Sequence, residues 1–398
     1  MSCVPSASNA IITDTMNPVH ALWTFPAIIL AAMLIAWAAE CGQFYISQGL
    51  ALAVLAWVQT LPEFAVEAVI ALTAAKDPSK LHLVTANFTG SLRLFVGLGW
   101  PIVYFIALFF SGKKWRSDNG FWTIRLADEQ SIAVLAILPA AVYFLFIYAK
   151  GTLNIFDAVV LTSIYFVYLW LLSKMPSQPQ EEAKDLDWIP RRVMGLKKPL
   201  NYAGIVLFFV FGAVILWFTV HPFLNSMLAL ALSLGVSEFV FVQWLAPFLS
   251  EFPEQLSAYR WAASVEKAPM ALSNFVSSSI NQWTILVATI PFIYSFGTGH
   301  WAAIAFDEHQ KVEILLTLVQ SYLGFLFLFS MDFSFPEACG LFGLWLAQFI
   351  IPGIREEITY VYGAWALFET VRVIGNFKQR NAFNVFKILA QDHLFKKV

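Results

Sequence analysis

Charge is what this chain has least of. Only 13% of its 398 residues are Asp, Glu, Lys or Arg, about half the share of a soluble globular domain. No Lys or Arg occurs before Lys76. The basic start of a cleaved leader is therefore missing, and the first apolar run reads as a retained membrane span with its N-terminus outside. Cys3, Cys41 and Cys339 are odd in number and scattered, which offers neither a disulfide framework nor metal-ligand spacing. No Gly-x-x-x-x-Gly-Lys loop and no His-Glu-x-x-His pair is present. Their absence argues against direct ATP drive and against an intramembrane enzyme. A net charge of −2 leaves no nucleic-acid footprint.

What the chain has is hydrophobicity: 59% apolar residues, 16% aromatic, and a mean hydropathy of +0.69. That composition describes an all-α polytopic membrane protein surrounded by lipid, in a cell (inner or plasma) membrane. Apolar runs of spanning length fall at about 22–40, 47–75, 81–111, 131–149 and 154–173. After a basic stretch they resume at about 202–236, 237–265, 268–297, 312–330 and 334–352. The expected organisation is an N-terminal tail 1–21, a five-helix repeat 22–173, a basic cytoplasmic linker 174–200, a second five-helix repeat 201–352 and a C-terminal tail 353–398. An odd number of spans per half inverts the second half relative to the first. Loops after the third and fifth spans hold ten basic residues and fall on one side, as the positive-inside rule requires. Ten spans would put Arg372, Lys378, Arg380, Lys387, Lys396 and Lys397 on the other side. Either a further crossing lies near 357–375 or the tail, as an interfacial helix, is an exception. A helix break is also expected at His221-Pro222.

Two short stretches stand out against this background. Thr60-Leu61-Pro62-Glu63 and Glu251-Phe252-Pro253-Glu254 each put a helix-breaking proline directly before a carboxylate in the middle of an apolar run. Each is followed by a polar cluster, Ala86-Asn87-Phe88-Thr89-Gly90-Ser91 and Ser273-Asn274-Phe275-Val276-Ser277-Ser278. Pro62 and Pro253 are 191 positions apart, and Ser91 and Ser278 are 187 apart. Broken helices carrying charge in both halves of one chain are the sequence sign of a secondary transporter. The blander reading is that Pro-Glu merely opens a helix, with the carboxylate complementing its dipole, and that the asparagines join helices.

These paired motifs resemble the repeats of the calcium/cation antiporter superfamily, which includes the sodium/calcium and proton/calcium exchangers. The resemblance covers nearly the whole chain and implies two inverted repeats with broken helices at Pro62 and Pro253. It also implies a cation site between them and alternating access, with no cofactor beyond transported Ca²⁺, Na⁺ or H⁺. It names no protein partner. Glu63 and Glu254 would be the metal-binding carboxylates, facing each other across the repeats. Thr60, Ser91, Ser250 and Ser278 would add hydroxyls, Asn87, Asn274 and Gln282 amides, and Glu251 a further carboxylate. A dehydrated Ca²⁺ takes about 6–8 oxygens, so such a set is chemically apt.

Departures from the family pattern are informative. Phe95 and Gln282 stand where the family has Asn or Asp four residues after the serine. Arg93 and Glu67 add charge. Arg93 could pair with Glu67, occupy a family ion position or snorkel away. Counting Glu63, Glu67, Glu251 and Glu254 against Arg93 gives −3 if all are ionised. Carboxylates so gathered would favour holding a proton when no cation is bound, which suits exchange for H⁺ slightly better than for Na⁺. Two other readings stay open at this point: a transporter of altered cargo using Arg93, and a membrane sensor or scaffold that keeps the fold without transport.

Overall fold

A computed structural model describes residues 17–42, 44–45, 60–119, 123–174, 186–264, 267–375 and 381–393. The tail 1–16, the segment 46–59 leading into the first proline motif, linker residues 175–185, and Lys378, Arg380, Lys396 and Lys397 lie outside the described residues.

In the first half the helices are α1 (Ala21–Gly42), α2 (Leu61–Lys76), α3 (Leu81–Leu94), α4 (Trp100–Asn119), α5 (Ser131–Lys150) and α6 (Ile155–Ser173). A short α7 (Trp188–Met194) lies in the linker. The second half has α8 (Leu200–Ser233), α9 (Ala246–Ser250), α10 (Phe252–Ala262), α11 (Ala268–Asn281), α12 (Val287–Thr298), α13 (Glu308–Phe329) and α14 (Phe335–Ile350). Then follow α15 (Arg355–Gly375) and α16 (Ala382–His393). Among the described residues six helical stretches are long and apolar enough to cross a membrane: Pro18–Ala38, Pro78–Phe110, Asp128–Lys150, Ile155–Ser173, Leu200–Ser233 and Glu308–Phe329.

Local chemistry explains the helix ends. Asn154 and Asp157 close a capping box on α6, as do Ser334 and Glu337 on α14 and Asp307 and Gln310 on α13. Gly151 and Gly299 end α5 and α12 with φ of +72° and +77°, a conformation that suits glycine. Pro62 and Pro253 sit in the first turn of α2 and α10, where a missing N–H costs nothing. The residues before those helices, Thr60 and Glu251, have nearly the same backbone, φ −86°, ψ −2° and φ −95°, ψ −2°. In the second half the interruption is therefore seen directly: α9 ends at Ser250, Glu251 is the joint, and α10 restarts at Phe252.

The expected break at His221-Pro222 does not occur. α8 runs unbroken through Pro222. Proline removes one backbone hydrogen bond, and packing by a neighbouring helix compensates. Here α8 lies along α1, with Phe223 fully buried and Thr24 Oγ1 2.8 Å from Ser226 Oγ.

Two small antiparallel strand pairs show how the halves meet. β1 (Thr123–Arg125) precedes α5 and pairs with β4 (Asp332–Ser334), which follows α13. β2 (Thr152–Leu153) follows α5 and pairs with β3 (Ile304–Ala305), which precedes α13. The start of α5 thus lies at the end of α13 and the reverse, so the two helices run in opposite directions. Residues 355–375, left open by the sequence, form one helix along α13. Arg355 meets Glu313, Gly363 approaches Val319, and Tyr322 Oη lies 3.0 Å from Thr370 Oγ1. α15 therefore runs the same way as α13, at the same depth.

Among the described residues the apolar core forms two large clusters and a small third one around Leu94, Trp244 and Trp345, and the chain passes between the large ones within single helices. Leu83–Leu92 of α3 belongs to one and Phe95–Ala107 to the other; Trp283, Val287, Ala288 and Ile290 belong to the first, and Leu272–Ile280 with Ile285 to the second. At both crossings the helix widens into a π-helical turn, Phe95–Gly99 and Gln282–Leu286, beginning four residues after Ser91 and Ser278. Ser91, Arg93, Ser278 and Gln282, all buried, lie at or just before these two crossings.

Candidate cation site

The joint residue Glu251 reaches across to the first half. Ser91 Oγ lies 2.7 Å from Glu63 Oε1 and 2.6 Å from Glu251 Oε1. Gln282 Nε2 donates to both Glu63 oxygens, at 2.9 and 3.1 Å, and to Glu251 Oε1 at 2.6 Å. Ser91 and Gln282 thus each contact both the Glu63 and the Glu251 carboxyl. Glu254 is held within its own half. Asn274 Nδ2 donates to it at 2.9 Å, and the Ser278 hydroxyl donates to the same oxygen. Glu63, Glu251 and Glu254 are all buried.

Hydrogen counting sets a constraint here. Ser91 has one hydroxyl hydrogen and faces two carboxyl oxygens. It can donate to one; the other contact needs a proton on Glu63 or Glu251. Two bare carboxylates at this separation, out of water, would repel strongly. A proton shared between the two carboxyls would satisfy this arrangement. Glu251 Oε2 and Gln282 Oε1 are buried without a hydrogen-bond partner, so oxygens remain for a further ligand. Among the described residues no group of three or more His, Cys, Asp or Glu side chains forms a ready metal cage. A cation here would take hydroxyl and amide oxygens alongside the carboxylates.

Not every expected ligand joins this network. Ser250 Oγ donates to the Pro247 carbonyl at 3.1 Å, along its own helix. Thr60 is buried at the start of α2. Asn87 Nδ2 donates to Glu67, not to Glu63.

Arg93 does not pair with Glu67. Two residues after Ser91, it leaves α3 on another face and is fully buried. Its guanidinium donates to Glu313, to Gln348 Oε1 at 3.2 Å and to the Thr89 carbonyl at 3.2 Å, and lies 5.0 Å from the Trp244 ring centre. Glu313 also takes Arg355 at 2.9 Å and Gln243 Nε2 at 2.7 Å. The count of −3 used Arg93 to offset the site carboxylates; Glu313 consumes that charge. This second cluster was not anticipated from sequence. Its signal was Glu313, Thr317 and Gln320, polar positions on one face of an apolar helix.

Most of the chain is similar to known proteins. A family model described as sodium/calcium exchanger protein matches residues 19–174 and 204–352. The crystal structure of an H⁺/Ca²⁺ exchanger, CAX, is 29% identical with a TM-score of 0.84, covering 94% of this chain and 91% of that one. The sodium-calcium exchanger NCX_Mj, soaked with 100 mM Na⁺ and 10 mM Sr²⁺, is 17% identical with a TM-score of 0.55. That match covers 84% of this chain and 99% of that one, and it supports the fold alone. No curated protein matches the chain. The matched residues take in both proline-glutamate joints and both serine-bearing helices, and the chain belongs to the sodium/calcium exchanger protein family.

Proposed function

We propose that this integral membrane protein is a secondary cation antiporter that exchanges Ca²⁺ or another metal cation for H⁺. The observation that carries the reading is Ser91, whose single hydroxyl joins Glu63 of one half to Glu251 of the other. A cation entering between them needs ionised carboxylates, so its binding expels the shared proton; a returning proton expels the cation. That competition is the chemistry of exchange.

Glu63, Glu251 and Glu254 supply charge in this reading, with Ser91, Ser278, Asn274 and Gln282 supplying neutral oxygens. Carboxylates on both sides of the interface make the site depend on how the two halves lie against each other, which suits alternating access by opposed motion of the repeats. Protons are preferred to Na⁺ as the driving ion for two reasons. The network holds a proton by hydrogen count, and the H⁺/Ca²⁺ exchanger is the more similar of the two solved structures in identity and TM-score. Arg93 is engaged by Glu313, Gln348 and Thr89, so the reading in which it binds an altered cargo has no support. We place the N-terminus outside and the basic loops in the cytoplasm.

The test is proton release. Ca²⁺ added to weakly buffered, detergent-purified protein should acidify the solution in proportion to binding, and Glu251→Gln should reduce the protons released per cation. Binding without acidification would overturn the proton reading.

A further inference from the structure

Glu67 lies one turn beyond Glu63 on α2, fully buried, and takes no part in the network around Ser91. Among the described residues its hydrogen-bond partner is Asn87, also fully buried, which donates Nδ2–H to Glu67 Oε2. The remaining oxygen of each, Glu67 Oε1 and Asn87 Oδ1, has no hydrogen-bond partner. Both are acceptors, so neither satisfies the other while Glu67 is ionised.

Among the described residues no cation pairs with this carboxylate, and Glu63 lies one turn before it on the same helix. On the elements packed against α2, Arg93 is bound to Glu313, His82 Nδ1 contacts the Ser79 carbonyl, and Lys80 pairs with Glu238. Asp77 bonds to Ser79, and Glu251 turns to Ser91 and Gln282. Tyr294 on α12 and His221 on α8 make no hydrogen bond to Glu67. An ionised carboxylate in such surroundings is costly.

We propose that Glu67 and Asn87 form a proton-binding site of their own, separate from the cation site. The proton sits on the Glu67 carboxyl and bonds to Asn87 Oδ1 while Asn87 donates back, closing a cyclic acid–amide pair. One proton satisfies both orphaned oxygens and removes the uncompensated charge. The equilibrium is simple: the carboxylic acid releases H⁺ and becomes a carboxylate, with no other bond made or broken. The second half has no counterpart. Position 258, equivalent to 67 by the 191-residue offset, is alanine, and Asn274, equivalent to Asn87, serves Glu254 instead. Among the described residues the pair at Glu67 and Asn87 is therefore particular to the first half.

Infrared spectroscopy of the purified full-length protein at neutral pH tests this without transport. The carbonyl stretch of a protonated carboxyl should contain a component that disappears in Glu67→Gln. The glutamine amide can form the same cyclic pair with Asn87, so that variant should fold as the parent does. In Asn87→Leu the component should persist at higher frequency, having lost its hydrogen bonds. A Glu67→Gln difference spectrum showing loss of a carboxylate band would overturn the proposal and leave a carboxylate satisfied by water or a cation. Absence of cation flux would sink the antiporter reading and leave this result standing.

Discussion

Ser91 and Glu251 are 160 positions apart in the chain, and their side-chain oxygens stand 2.6 Å apart in the core. The contact joins the π-widened helix of the first half to the helix joint of the second. It brings Glu63 and Glu251, one from each proline-glutamate motif, into one hydrogen-bond network.

Replacing Ser91 by alanine removes the hydroxyl that Glu63 and Glu251 share. Buried carboxyls that lose a partner cost about 1–3 kcal/mol, and cation-driven proton release should fall to background. Ser250→Ala is the contrast, because that hydroxyl bonds only to its own helix. Isothermal titration with Ca²⁺ should show binding lost in the first variant and kept in the second.

Arg93→Met should be severe for stability. Removing one member of a buried ion pair costs about 3–5 kcal/mol, because the partner charge is left behind. Arg355 still faces Glu313, which places the effect towards the lower end. Adding Glu313→Gln should recover part of the loss in thermal unfolding of the purified protein. A single variant as stable as the parent would mean that the pair is not formed.

At Gly90, α3 and the backbone of the second half come together. A Cβ there would lie 1.8 Å from the Gln243 carbonyl oxygen, whereas none of the neighbours of Gly343 lies within 4 Å. Gly90→Ala should cost about 1–3 kcal/mol or more through forced displacement of backbone. Gly343→Ala should cost nothing and gain up to about 1 kcal/mol of helix propensity. Melting temperatures of the two variants make the comparison.

The strand pairs report topology. Paired residues in antiparallel strands have Cα atoms about 4.5–5.5 Å apart, within the range a disulfide spans. In a background without Cys3, Cys41 and Cys339, cysteines at Thr123 and Ser334 should cross-link, and so should cysteines at Thr152 and Ala305. Before oxidation, an impermeant thiol reagent should reach the first pair from one side of the membrane and the second from the other. Failure of the cross-links would contradict the antiparallel course of α5 and α13, and labelling of both pairs from the same side would contradict their crossing of the membrane.

Much of this was legible in the sequence where local chemistry is decisive. Proline before glutamate, in duplicate and inside apolar runs, marks the joints because few arrangements tolerate that pair in lipid. The family pattern then points to Ser91, Asn274, Ser278 and Gln282. What stayed hidden depends on which way a side chain leaves its helix. Arg93 and Glu67 share a neighbourhood in the sequence motifs, yet α3 turns Arg93 towards Glu313, 220 positions away. Asn87 and Asn274 are equivalent by spacing, and only the extra carboxylate at Glu67 diverts one of them. Pro222 reads like Pro62, but α8 continues unbroken through it, packed along α1.

The central claim is that Glu63 and Glu251 hold one exchangeable site for protons and a metal cation. Its most direct test is Ca²⁺ movement in proteoliposomes under an imposed pH gradient, with a Na⁺ gradient as the comparison and Glu63→Gln as the control. The account predicts Ca²⁺ flux driven by the pH gradient, and flux at the level of empty vesicles for the variant. Well-folded protein that moves no Ca²⁺, or other metal cation, under either gradient would contradict it.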